Sequence, residues 1–282
     1  MFHYKNNIYK MKIKSLLYLS VAALLATSCS EDNKPTVADI QGVYAGYSVA
    51  SCQYFTNNCV ADESINITEN ADGTAKVTYT SSSFGEFTVP NATLSENAGV
   101  YTLSGEGHTL MGMTGNVSSY DCTFTAVIKS KTDASAKFTV PAVMGGLNIE
   151  FKTGVAPADL LLSGSYKGYS EAASAYFKGM YEDNASVAVS SNGDGTLTVA
   201  FESEQWGKFN VAAASVEKTE SGYSLSGSGK VLMGMGESKS EYDFNLSATI
   251  DAAKENFEIT FTMPAVMGGM TVTIRPGTAP AQ

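Results

Sequence analysis

The chain has 282 residues, with 28 acids against 18 Lys and Arg and a formal net charge of -10. Lys5, Lys10, Lys12 and Lys14 lie in an acid-free leader whose removal leaves 14 cations against 28 acids, a net -14 that excludes a phosphate backbone as an expected partner. A hydrophobic content of 44% excludes wholesale disorder, and two histidines, His3 and His108, exclude a His-rich metal centre; no metal and no cofactor are expected.

Taken in chain order, the first element is an address. Lys12 and Lys14 precede an apolar run from Leu16 to Ala26, too short for a spanning helix of about 20 residues but suited to a secretory leader. Leu25-Ala26-Thr27-Ser28-Cys29 resembles a relaxed lipobox, which makes Cys29 the expected lipidation site. Residues 1–28 are then a lipoprotein signal peptide, and 29–36 the lipidated cysteine and a polar linker. The pair Glu31-Asp32 resembles the surface-export signal of Bacteroidota-type lipoproteins. The expected location is the outer membrane, lipid-anchored and facing outward, with the membrane as a partner through the anchor.

The rest of the chain repeats itself. Gly42-Val43-Tyr44-Ala45-Gly46-Tyr47-Ser48 matches Gly164-Ser165-Tyr166-Lys167-Gly168-Tyr169-Ser170 at an offset of 122. Phe84-Gly85-Glu86-Phe87 meets Trp206-Gly207-Lys208-Phe209, and Leu110-Met111-Gly112-Met113 meets Leu232-Met233-Gly234-Met235. After one inserted residue, Pro141-Ala142-Val143-Met144-Gly145-Gly146 meets Pro264-Ala265-Val266-Met267-Gly268-Gly269. A unit of this size is a duplicated domain, and we divide the chain at 37–157 and 158–282. Within each unit apolar residues alternate with period two, as in Ser64-Ile65-Asn66-Ile67-Thr68. Asp72-Gly73 and Asp194-Gly195 sit between such runs and predict hairpins. Further strands are predicted over 84–89, 99–104, 120–129, 136–140 and 147–152. The pattern is all-β, a barrel or a sandwich.

Gly42-Val43-Tyr44 and Gly164-Ser165-Tyr166 resemble the Gly-x-Trp of lipocalins, with Tyr in place of Trp. Together with Leu-Met-Gly-Met and Pro-Ala-Val-Met-Gly-Gly, they make both units resemble the calycin-like β-barrel lipoproteins of Bacteroidota. That resemblance implies two tandem antiparallel up-and-down barrels. It also implies a basic residue near the last strand that covers the first-strand aromatic and closes the barrel end. The matching pairs are Tyr44 with Lys152 and Tyr166 with Arg275.

Candidate sites are few. Cys52 and Cys59 flank one short loop, and a disulfide is the expected state beyond the inner membrane; Cys122 reads as a buried, inert thiol. Met111 and Met113 flank a glycine and should share a strand face, as should Met233 and Met235; Met144 and Met267 adjoin the Gly-Gly pairs. These methionines can be core, the adaptable lining of an apolar pocket, or a soft-metal site that lacks supporting His or Cys. Tyr54, Phe55, Tyr176 and Phe177 occupy the first long loop of each unit, where they can plug the barrel mouth or gate a ligand. No nucleophile elbow, zinc-binding helix or phosphate loop is present. The expectation is a non-enzymatic protein that binds a small apolar or amphipathic ligand inside one or both barrels, the alternative being a protein-interaction module with filled interiors.

Overall fold

The computed structural model describes residues 34–113, 116–235 and 238–281. Cys29 lies outside the described residues, as does the leader. A 3-10 turn at Val37–Asp39 leads into eight strands: β1 (Gly42–Ser51), β2 (Asn58–Glu69), β3 (Ala75–Ser81), β4 (Gly85–Asn97), β5 (Val100–Met113), β6 (Asn116–Ser130), β7 (Asp133–Val140) and β8 (Leu147–Thr153). A short helix, α1 (Ala158–Leu162), then leads into β9 (Gly164–Ala173), β10 (Met180–Ser191), β11 (Leu197–Ser203), β12 (Gly207–Lys218), β13 (Gly222–Met235), β14 (Ser238–Asp251), β15 (Phe257–Met263) and β16 (Met270–Arg275). Each set of eight pairs in sequence order and closes, β1 on β8 and β9 on β16, into an antiparallel barrel. Closure removes the free sheet edges.

The period of two is the cause. On β3 the buried residues are Ala75, Val77, Tyr79 and Ser81, and the same alternation runs along β7 through Ala134, Ala136, Phe138 and Val140. At the waist of the first barrel Tyr79, Phe87, Phe124 and Phe138 pack with ring centroids 4.9 to 5.4 Å apart. Phe201, Phe209, Phe244 and Phe261 do so in the second, at 4.7 to 6.0 Å. Below the first waist, the void between Tyr44, Ile67, Phe124 and Phe151 is about 10 Å³, too small for a guest. The barrels are therefore solid through the middle.

Glycine makes the closing pair of strands possible. A Cβ on Gly46 would lie 1.9 Å from the Lys152 carbonyl oxygen, and one on Gly168 would lie 1.8 Å from that of Arg275. Between the barrels, Leu160 and Leu161 of α1 join an apolar cluster with Tyr47, Val49, Cys59 and Ala61 on the outer face of β1 and β2.

The candidate site at the open end of the first barrel

The two ends of each barrel differ. At the closed end of the first, Tyr44 donates to the Ile40 carbonyl at 2.6 Å. Lys131, in the β6–β7 turn, donates to the same carbonyl at 2.9 Å and lies 4.2 Å from the centroid of the Tyr44 ring. Burial pushes the Tyr44 phenol above its usual value and the Lys131 ammonium below. The second barrel follows the plan in part: Tyr166 donates to Leu162 O at 2.8 Å, and Lys254, in the matching turn, donates to the preceding carbonyl, Leu161 O, at 2.8 Å.

This corrects the expected closing pairs. Lys152 is exposed and stands opposite Tyr47 and Ser135, because its neighbour Phe151 takes the inward position. Arg275 bonds Glu171 at 2.7 Å and Glu258 at 2.9 Å. The covering cation of the first barrel comes from the turn before its seventh strand, not from the eighth, and Lys254 occupies the matching turn of the second.

The other end is open. The connections after β1, β3 and β7, together with the facing ends of β5 and β6, line a cleft of about 630 Å³. Its apolar wall includes Phe55, Phe84, Leu110, Met111, Val143 and Met144; Asn58, Ser82, Ser83 and Tyr120 supply the polar groups. The Pro-Ala-Val-Met-Gly-Gly segment shapes one side. Met144, Gly145 and Gly146 all have positive φ, at 50°, 72° and 105°. The turn throws the Met144 side chain onto the rim, half-exposed, and the Met144 carbonyl accepts from Gln53 N at 3.3 Å, which ties the turn to the loop after β1. Met267 repeats the conformation at φ 47° and accepts from Ala175 N.

Of the sequence-predicted ligand residues, Phe55, Met111 and Met144 come together in this cleft. Tyr54 is exposed and lies outside the lining. In the second barrel Phe177 and Met233 pack on the core, while Tyr176 and Met267 are exposed on the rim. The side chains of Met113 and Met235 lie outside the described residues. Sequence reasoning missed Asn58, Ser82, Ser83, Leu110, Val117 and Tyr120, which only the barrel's curvature assembles.

The expected Cys52–Cys59 bridge is not formed: both are free thiols. A register shift in the β1–β2 ladder, at positive-φ Asp62, turns Cys59 to the outer face, whereas Cys52 packs on the inner cluster. Burial pushes the Cys59 and Cys122 thiols up to about 11.

Inside the first barrel sits a buried polar node. Ser48 donates to Glu63 Oε2 at 2.6 Å, Tyr79 donates to the same oxygen, and the Ser48 and Tyr79 hydroxyls are 2.8 Å apart. Burial, followed by the bond to Glu63, holds the Tyr79 phenol well above its usual value. The second barrel has Ala185 and Phe201 at the Glu63 and Tyr79 positions, and Ser170, the counterpart of Ser48, is buried without a hydrogen-bond partner. Among the described residues, no three His, Cys, Asp or Glu side chains come together as a metal site.

Two closed eight-stranded barrels with filled waists, the first covered at one end and open at the other, define a tandem calycin-like architecture. The chain belongs to the calycin-like β-barrel domain family, whose model matches residues 40–154 and 162–275. A solved structure from Bacteroides fragilis, described provisionally as an outer membrane protein, is similar at 25% identity and a TM-score of 0.67, covering 85% of this chain and 98% of that one. A Nostoc punctiforme protein of unknown function aligns over 84% of this chain and 95% of its own at 10% identity, with a TM-score of 0.25, too slight a likeness to carry an argument. No curated protein matches the chain.

Proposed function

We propose that the protein is an outer-membrane lipoprotein, anchored through Cys29 and displayed outward, whose first barrel binds a small apolar or amphipathic molecule without catalysis. The observation that carries this reading is the open-end cleft. Its volume of about 630 Å³ lies within the roughly 300–1,000 Å³ typical of small-molecule sites, and it has the usual apolar lining with a few polar groups. The solid waist moves the site from the barrel interior, where the sequence suggested it, to the mouth. The leader sequence and the Bacteroides fragilis neighbour support the location.

The test is native mass spectrometry of the chain from Ser30 onward, purified gently from its natural host. A discrete added mass is expected on the wild type and should disappear in a folded Met111→Trp variant, in which an indole occupies the cleft. An added mass that persists unchanged in that variant sinks the reading. A second reading, a protein-docking module, is favoured by the filled waists and by Leu110, Val117, Leu232 and Met267, which expose apolar surface on the rims. A consistently bare mass, with a protein co-purifying, would establish it instead.

A further inference from the structure

The two barrels share one plan, and they differ where the first one opens. On β6 of the first barrel the fourth waist ring is Phe124, opposite Gly105, with Cys122 one inward step nearer the mouth, opposite Gly107. On β14 the ring is Phe244, opposite Gly229, and Leu246 takes the lower place. The second barrel therefore carries an aromatic one inward step nearer its mouth, where the first has the smaller Cys122. Trp206 stands where the first barrel has Phe84, and both are buried.

Charge differs as well. None of the described residues that line the first cleft is charged. The chain has 28 acids, and none is in that lining. At the matching positions of the second barrel, Ser82 becomes Glu204, Ser83 becomes Gln205, Asn58 becomes Met180 and Val117 becomes Lys239. A charged guest in the first cleft would lose hydration and find no counter-ion. An uncharged guest with a hydroxyl or carbonyl would find Asn58, Ser82, Ser83 and Tyr120 as partners beside a Phe and Met wall.

From this we infer that the ligand is an uncharged amphiphile and that only the first barrel takes it. The inference rests on the cleft being a binding site and adds the class of molecule.

A pair of near-isosteric dyes tests it on the full mature chain. N-phenyl-1-naphthylamine is neutral, whereas 8-anilino-1-naphthalenesulfonate carries a sulfonate that no ordinary pH neutralises. Titrations at roughly 0.5 M salt, where the Debye length is about 4 Å, screen the chain's overall negative charge. The neutral dye should bind at least tenfold tighter than the anionic one. Met111→Trp should abolish that binding, and its second-barrel counterpart Met233→Trp should leave it unchanged. Ser83→Lys, at an exposed position that does not threaten folding, should narrow the gap by admitting the sulfonate. Equal or tighter binding of the anionic dye overturns the inference but leaves the cleft as a site. Loss of binding in folded Met233→Trp, or no narrowing with Ser83→Lys, also overturns it. Absence of any neutral-dye binding, or its survival in folded Met111→Trp, overturns the cleft reading itself.

Discussion

Lys131 shows what a short motif leaves out. Gly-x-Tyr marks the start of each barrel, yet the cation over the tyrosine is 91 residues from the carbonyl it bonds, in a turn without a motif of its own. The recurrence of Lys131 as Lys254 at the late offset was the available signal. Lys131→Met should cost about 1–2 kcal/mol, from a lost hydrogen bond to a carbonyl and a lost contact with the ring. Lys152→Met, on the outer face, should change stability by less than about 0.5 kcal/mol. Urea denaturation of both variants measures this, and equal losses would reinstate Lys152 as the closing residue. The cysteines make a similar point, since the spacing of Cys52 and Cys59 is legible but the register shift that sends them to opposite faces is not. At pH 8, thiols with pKa values of about 11 are ionised to only about one part in a thousand. Iodoacetamide should therefore modify native protein at Cys52 alone, and Cys59 and Cys122 only after unfolding. Native protection of Cys52, lifted by reductant, would show that the bridge forms.

Turns and strands were more legible than side-chain partners. The Asp-Gly hairpins appear where alternation predicts them, and they are duplicated atom for atom. Asp72 accepts from Thr74 N at 3.0 Å and Oγ1 at 2.6 Å, and Asp194 from Thr196 N at 2.9 Å and Oγ1 at 2.6 Å. The threonine bonds, side chain first, hold both carboxyls below the ordinary aspartate range, and Asn256 does the same for Asp251. A depressed folded-state pKa means that the unfolded chain takes up protons first. This stabilisation is complete above the unfolded value near 3.8 and is lost as pH falls through the lower folded values. Melting temperature should thus drop on acidification below about pH 4, and drop less steeply in Asp72→Asn/Asp194→Asn. Parallel acid limbs for the two proteins would disprove the assignment. The methionines beside Gly-Gly became intelligible only with the backbone: three successive positive-φ residues set the rim, and an unbranched side chain tolerates the first of them.

At the scale of the molecule, duplication was the clearest message of the sequence, and closed barrels followed from family resemblance, since alternation alone fits a sandwich equally well. What stayed hidden was the divergence of the two interiors, because an inward Glu63 and an outward acid look alike in a strand. Glu63 and Tyr79 form a unit that the second barrel lacks. Glu63→Ala and Tyr79→Phe, each the second barrel's own residue, should each destabilise by about 1–3 kcal/mol by stranding a buried partner. The double variant should lose less than their sum, with a coupling of about 1–2 kcal/mol. Simple additivity in urea melts would mean that the node is not cooperative.

The strand pairing that closes each barrel also dictates an order of events in time. Gly46 lies opposite Thr153, so the first strand of a barrel cannot be satisfied until its last has left the ribosome or the export channel. Contacts between such distant residues form late, after the loop entropy of the whole unit has been spent. Until then β1 presents an unpaired edge to whatever lies nearby. The tandem passes through that exposed interval twice, once for each barrel, and α1, which leads into the second, has the outer face of β1 and β2 to settle against once the first has closed.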